Sequence, residues 1–341
     1  MVTDCSVSTS LKVGRLEKVG ATDKAAEVLS LSEVWAKKYI KDLHRQDQVL
    51  LSLDESQSRP DVAQKLVDIL RSVSARAWNK TETLLSHEVR RHQISPSLID
   101  PWTIAKDVHS VYEEALAAYA KGVTPQRFSV AASKQLGAIR QTHTAVDPRV
   151  IGFVSMQFHY CGQMLSAEAP AVEQSTLQSY FKVVDDLLYM PLHRAYAAAA
   201  NYDYDDPRLE TVRLALPATS RIAKSIVNQV IALCPDYASY TGSLSEATVR
   251  TSSIRDVEMF QIYLWTCMLE NNISAIAQEL FPLCVMLYPR LKVNWGLVRL
   301  MVNLLDQELS ACVGEINVKH YEPHYTAMLK MFSPATFPEP V

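Results

Sequence analysis

Three side chains with chemistry follow one another at four-residue spacing in the stretch FVSMQFHYCGQML: Ser155, His159 and Gln163. On a helix that spacing places all three on one face. An imidazole between a hydroxyl and an amide suits two uses. It can touch a bound ligand, or it can form a buried polar seam by bonding a neighbouring helix. One histidine without a second ligand at metal spacing makes no metal site. A second stripe lies in YFKVVDDLLYMPLHRAYAAAA, where Asp185, Tyr189 and His193 are again four apart and Tyr196 follows three later. Asp185 and His193 are the residue types of an acid–base pair or of two metal ligands. They stand two turns apart, so the spacing predicts that they do not meet directly. Carboxylate-bridged di-iron sites in helix bundles use paired Glu-x-x-His motifs, and this chain has none. Asp186 points about a quarter-turn off the stripe.

Arg255, Asp256 and Glu258 form the next cluster, at the entrance to the apolar stretch Ser252–Trp295. They suit binding of a cationic or phosphate group, or a capping network with an ion pair to Arg250 or Lys224. The capping reading follows from Ser253, with Asp256 three residues later. Glu279, between Ala277 and Phe281, is a carboxylate in an apolar setting and needs a partner. Arg290 or Lys292 is expected to supply it. No GxSxG, HExxH, Walker or dinucleotide fingerprint is present.

These side chains need helices to position them, and the pattern is helical nearly throughout. From Val257 to Leu269 apolar residues run all round the helix, which predicts burial on every side. Asn271-Asn272 breaks that helix, a second apolar helix follows, and Pro282 should kink it or shift its start. Together they read as a buried hairpin. Charges interrupt it too often for a membrane span of about 20 apolar residues. Asp100-Pro101, Asp147-Pro148 and Asp206-Pro207 each predict a helix start, because Asp caps well and Pro fits the first turn. Helices are expected at 102–121, 125–142, 148–167, 172–201, 207–216, 217–234, 253–270, 273–288, 293–313 and 324–332. Pro191 should bend the fourth of these. Strand signals are nearly absent. The fold class is therefore all-α: a multi-helix bundle with a buried C-terminal hairpin and an N-terminal helical extension.

Residues 1–30 lack a sustained period and read as a mobile arm. Residues 31–95 form an N-terminal helical segment in which Lys37, Lys38, Lys41 and Arg45 read as solvated charges. The prolines at 96 and 101 mark a linker, and 96–338 is the main domain. With 341 residues, 48% hydrophobic and 21% charged, there is ample material for a core. A net charge of -3 argues against nucleic acid as a partner. Six scattered cysteines without a CxxC pair suit reduced thiols, and no secretory leader opens the chain, so a cytoplasmic protein is expected.

The blocks GFVSMQFHYCGQML, SYFKVVDDLLYMPLHRAY, SSIRDVEMFQIYLW and QELFPLCVMLYPRLKVNW, with the closing MFSPATFPE, resemble an all-helical, functionally unassigned family of cyanobacteria. The resemblance spans roughly 147–339 and implies a cytosolic or peripheral, thylakoid-facing setting. It brings no catalytic residue. Two functions remain in competition. One is a non-enzymatic scaffold or regulatory protein that binds another protein, with Trp295, Leu300 and Met301 suiting a homodimer. The other is a ligand-binding or sensory domain with a pocket near His159 and His193 for a flat apolar or tetrapyrrole-like molecule. A metal-dependent enzyme using Asp185, His193 and Glu279 is a third reading. No metal or cofactor is expected on the leading one.

Overall fold

A computed structural model of the chain describes residues 30–40, 58–240 and 242–337. The helices are α1 (Leu31–Ala36), α2 (Arg59–Arg91), α3 (Pro101–Ala120), α4 (Pro125–Thr144), α5 (Ile151–Glu168), α6 (Ala171–Tyr189), α7 (Leu192–Ala199), α8 (Pro207–Ala215), α9 (Thr219–Leu233), α10 (Ala247–Glu270), α11 (Phe281–Leu287), α12 (Trp295–Val313) and α13 (Glu315–Met331). The fold is an all-α bundle, as expected. Its only strands among the described residues are the two-residue pair β1 (Ala238–Ser239) and β2 (Gly242–Ser243). Among the described residues, no helix is long and apolar enough to cross a membrane.

Local chemistry sets the helix starts. The carboxylates of Asp100, Asp147 and Asp206 accept from the backbone N–H of Trp102, Arg149 and Arg208 at 3.0, 3.0 and 2.8 Å. Each satisfies a donor that the first turn leaves orphaned. At the other end of α10, Asn271 takes a left-handed backbone with φ 51° and stops the helix. Four boundaries differ from expectation, the last helix among them: it starts at Glu315 rather than 324 and carries Pro323 within it. α10 begins at Ala247, six residues before Ser253, and within its first turns Thr251 and Ser252 bond back to the carbonyls of Ala247 and Thr248. The helix expected to bend at Pro191 breaks instead into α6 and α7. The hairpin's second helix widens to a π-turn over Ile276–Leu280, just before Pro282, which can neither donate to nor pack under the preceding turn.

α2 packs on α3 and α5, α4 on α6, and α5 on α6. α10 runs through the centre, against α7, α9 and α13, and every residue from Val257 to Leu269 is buried. One apolar core extends from Leu31 to Phe332, and apolar residues of α2 such as Leu66 and Leu70 belong to it. The arm at 1–29 lies outside the described residues. Of the α12 positions that suited a dimer, Trp295 stacks on Phe337 at 3.9 Å between ring centres, and Leu300 and Met301 are partly buried against the core.

The α6–α7 break is held by a buried cation. Arg140 donates to the carbonyls of Leu188 and Tyr189, which the end of α6 leaves without helical partners. Its other nitrogen reaches Tyr263 at 2.5 Å and Glu279 at 2.6 Å. Arg194 closes the group by pairing with Glu279 and, at 2.5 Å, with Glu270. Glu279 therefore takes Arg140 and Arg194 as partners, not Arg290 or Lys292. Arg290 pairs instead with Glu88 at 2.6 Å.

Candidate functional site

Helices α5, α6 and α10 bring His159, Asp185, Arg255 and Asp256 to one corner. His159 Nδ1 lies 2.7 Å from Asp185 Oδ2, and Gln163 Nε2 lies 2.9 Å from His159 Nε2. A neutral ring carrying its proton on Nδ1 satisfies both contacts, donating to the carboxylate and accepting from the amide. Arg255 lies 3.2 Å from His159 Nδ1 and 3.7 Å from Asp185, with its guanidinium 4.5 Å over the Tyr189 ring. Burial works against the Arg255 charge, but Tyr189, Asp256 and Asp185 more than offset it and hold its pKa up. Asp256, next in the chain, has its carboxyl pKa raised by burial, which outweighs the opposing pull of Arg255 and Tyr288. Arg255 Nε and Asp256 Oδ1 make no hydrogen bond to any described residue. Such a pair is costly in a closed interior, by about 1–3 kcal/mol per group.

The corner forms one wall of a cavity of about 600 Å³. Its apolar walls come from Met156 of α5, Val257 and Phe260 of α10, and Leu297, Val298 and Met301 of α12. Tyr160, Tyr189, Tyr237, Tyr240 and Tyr288 supply flat amphipathic surface around it. The β1–β2 side is pinned in place: Tyr240 N–H donates to the Leu291 carbonyl at 2.9 Å, and Tyr237 Oη sits between Lys292 O and Asn294 N at 3.0 and 2.9 Å. This volume lies in the range of small-molecule sites, which are mostly apolar with a few placed polar groups.

The stripes read from sequence are split by the fold. His159, Gln163, Tyr189, Arg255 and Asp256 line the cavity, and Asp185 stands behind His159. Ser155 does not join them: its hydroxyl donates at 2.7 Å to the Ile151 carbonyl one turn back. His193 also lies elsewhere, folded over Gly137, where a Cβ would fall 2.4 Å from its Cγ. Only glycine at 137 lets α7 come that close. The pocket is thus near His159 but not His193.

Glu258 does not pair with Arg250 or Lys224. It joins Asp186 in a second ionic group on the adjoining faces of α6 and α10. Lys38 lies 2.9 Å from Asp186 and 3.1 Å from Glu258. Lys182 lies 3.1 and 3.7 Å from the same two carboxylates. Tyr39 donates to Asp186 at 2.9 Å, and Ser220 donates to Glu258. Lys38 is therefore not a solvated charge. Burial opposes ionisation of Asp186, yet Lys182 and Lys38 hold its pKa down at about 2. The i,i+4 spacing of Lys182 and Asp186 is a local signal for this group. The contribution of Lys38 has none, since it comes from a distant part of the chain. The described residues contain no group of three His, Cys, Asp or Glu that could hold a metal ion. Comparison with protein-family models, with curated proteins and with solved structures finds no match to this chain.

Proposed function

We propose that the protein binds a small, flat, largely apolar molecule in the α5–α10–α12 cavity, with the Arg255–Asp256 corner reading one hydrogen-bonding group of that molecule. The observation that carries this reading is the cavity itself: about 600 Å³, apolar on the α12 side, with the Arg255–Asp256 corner among the polar groups that line the rest of it. Holding rather than turnover suits the corner. His159 is held on both nitrogens, by Asp185 and by Gln163. The tyrosines favour a planar ligand, since each presents a ring face with a polar edge. A tetrapyrrole belongs to this class.

The test is a binding screen on the full chain with haem, biliverdin, a retinoid and a fatty acid, read by absorbance and by thermal unfolding. A true ligand at a hundred times its Kd adds about 2.7 kcal/mol of stability, a shift of about 4 °C for a chain of this length. Met301→Trp, which fills the cavity from the α12 side, should abolish that shift. A panel in which every compound leaves both the spectrum and the melting curve unchanged, together with purified protein that yields no extractable small molecule, would sink the reading.

A further inference from the structure

We propose that the Asp186–Glu258 groove is a docking site for a short helix carrying Trp-x-x-Lys-Tyr, filled in this chain by its own residues 31–40, and able to take the same segment from a second copy.

The segment has the physical character of a ligand. α1 is six residues long and continues only as a 3₁₀ turn over Lys37–Tyr39. Helices shorter than about 12 residues are marginal in water, so docking must supply most of its order. A capping box prepares it: Ser30 accepts from Glu33 N–H, and the Glu33 carboxylate accepts from Ser30 N–H at 2.8 Å. Among the described residues, the hydrogen bonds and ion pairs that tie it to the rest of the chain all come from Lys38 and Tyr39. Its apolar anchors Trp35 and Tyr39 are 1% and 2% exposed, and it rests on α4, α7 and the turn at Leu216–Ala218.

The groove has the character of a receptor. Two buried carboxylates meet one lysine of their own, Lys182, and are one positive charge short until Lys38 arrives. The incoming ammonium also lies 3.7 Å from the centre of the Trp35 ring, which travels with it. Trp35 Nε1 donates to Tyr39 Oη at 3.2 Å, and Tyr39 passes a hydrogen bond on to Asp186. Lysine, tyrosine and tryptophan are thus read together. Residues 41–57 join the segment to α2, and at most about 3.5 Å per residue they reach roughly 55 Å, far enough to serve a neighbouring copy. Exchange of an identical element between copies needs no new contact chemistry.

The experiment uses the full chain with its own segment weakened and a fluorescein-labelled peptide of residues 30–40 as probe. The peptide should bind the Lys38→Met chain at least 10-fold more tightly than the wild-type chain, whose groove is already filled. Tyr39→Phe, a milder change that keeps the ion pairs, should fall between the two. A peptide carrying Lys38→Met should bind the Lys38→Met chain at least 10-fold more weakly than the wild-type peptide does. Equal binding of the peptide to the wild-type and Tyr39→Phe chains, or equal binding of the two peptides, would overturn the proposal. The readout does not involve the α5–α10–α12 cavity, so it stands or falls apart from the ligand-binding reading.

Discussion

Two ionic groups sit on adjoining faces of the same pair of helices, and they are built to opposite ends. Asp185 and Asp186 are neighbours on α6, about 100° apart around the axis, and on α10 Glu258 stands about 60° from Arg255 and about 160° from Asp256. One face presents Asp186 and Glu258 to Lys38 and Lys182: two negative charges, two positive, none of the four with an unbonded buried atom. The other face presents Asp185 and Asp256 to Arg255 and His159. It has two unbonded buried atoms, Arg255 Nε and Asp256 Oδ1, and an open cavity in front. A fully bonded, sealed cluster fastens one part of the chain to another. One with unbonded polar atoms beside a cavity is what a ligand would complete.

The largest effect that sharpens this contrast is expected at Lys38. Lys38→Met leaves Asp186 and Glu258 with Lys182 alone, and breaking a buried pair from one side costs roughly 3 kcal/mol. Urea unfolding of the full chain measures it. A loss below 1 kcal/mol would mean that the second face is no clasp.

Acid should separate the two faces next. The Asp186 carboxyl titrates at about 2 in the folded chain, below the value near 3.9 of an unfolded aspartate. Its folded pKa is depressed, so its contribution is full above about pH 4 and is lost as pH falls toward 2. Asp186→Asn should therefore destabilise the protein at neutral pH and flatten the acid limb of the stability profile between pH 4 and 2. Asp256 has the opposite sign. Its folded pKa is raised, so ionising it costs stability once pH climbs through the folded value. Asp256→Asn should stabilise the ligand-free protein at pH 7, by about 1 kcal/mol if the unbonded Oδ1 is the main cost. Thermal melts of the two variants across pH 2–8 check both. Shifts of the same sign at pH 7 would erase the distinction.

Which of these features could be read from the chain depends on how local their causes are. The Asp-Pro starts were legible because a cap is made within three residues, and α10 was legible because apolar side chains all round leave burial as the only solution. His159 and Asp256 were visible as polar residues on helices with apolar neighbours. The partner of Glu279 was not, since Arg140 and Arg194 approach from α4 and α7 and share no sequence pattern with it. Lys38 was hidden in the same way. On its own helix it has the spacing of a surface lysine, and only the distant Asp186 and Glu258 make it a buried one. The α6–α7 break was half visible: Pro191 announces a fault, but Arg140 decides that the fault is a break by taking the carbonyls it exposes.

The smallest effects test where the site ends. Asp185 does not line the cavity, but it holds His159 through Nδ1 and so fixes which ring nitrogen faces Gln163. Asp185→Asn should weaken binding of whichever compound the screen identifies by about tenfold, an effect of about 1.4 kcal/mol, without changing the cavity walls. His193 belongs to the same sequence stripe but packs over Gly137 on the far side of α6, so His193→Ala should leave that affinity within about twofold while lowering the melting temperature slightly through lost packing. Titration calorimetry on the two variants separates the cases. If His193→Ala weakens binding as much as Asp185→Asn does, the stripe acts as one unit, and the boundary drawn here between the cavity corner and the α6–α7 junction is in the wrong place.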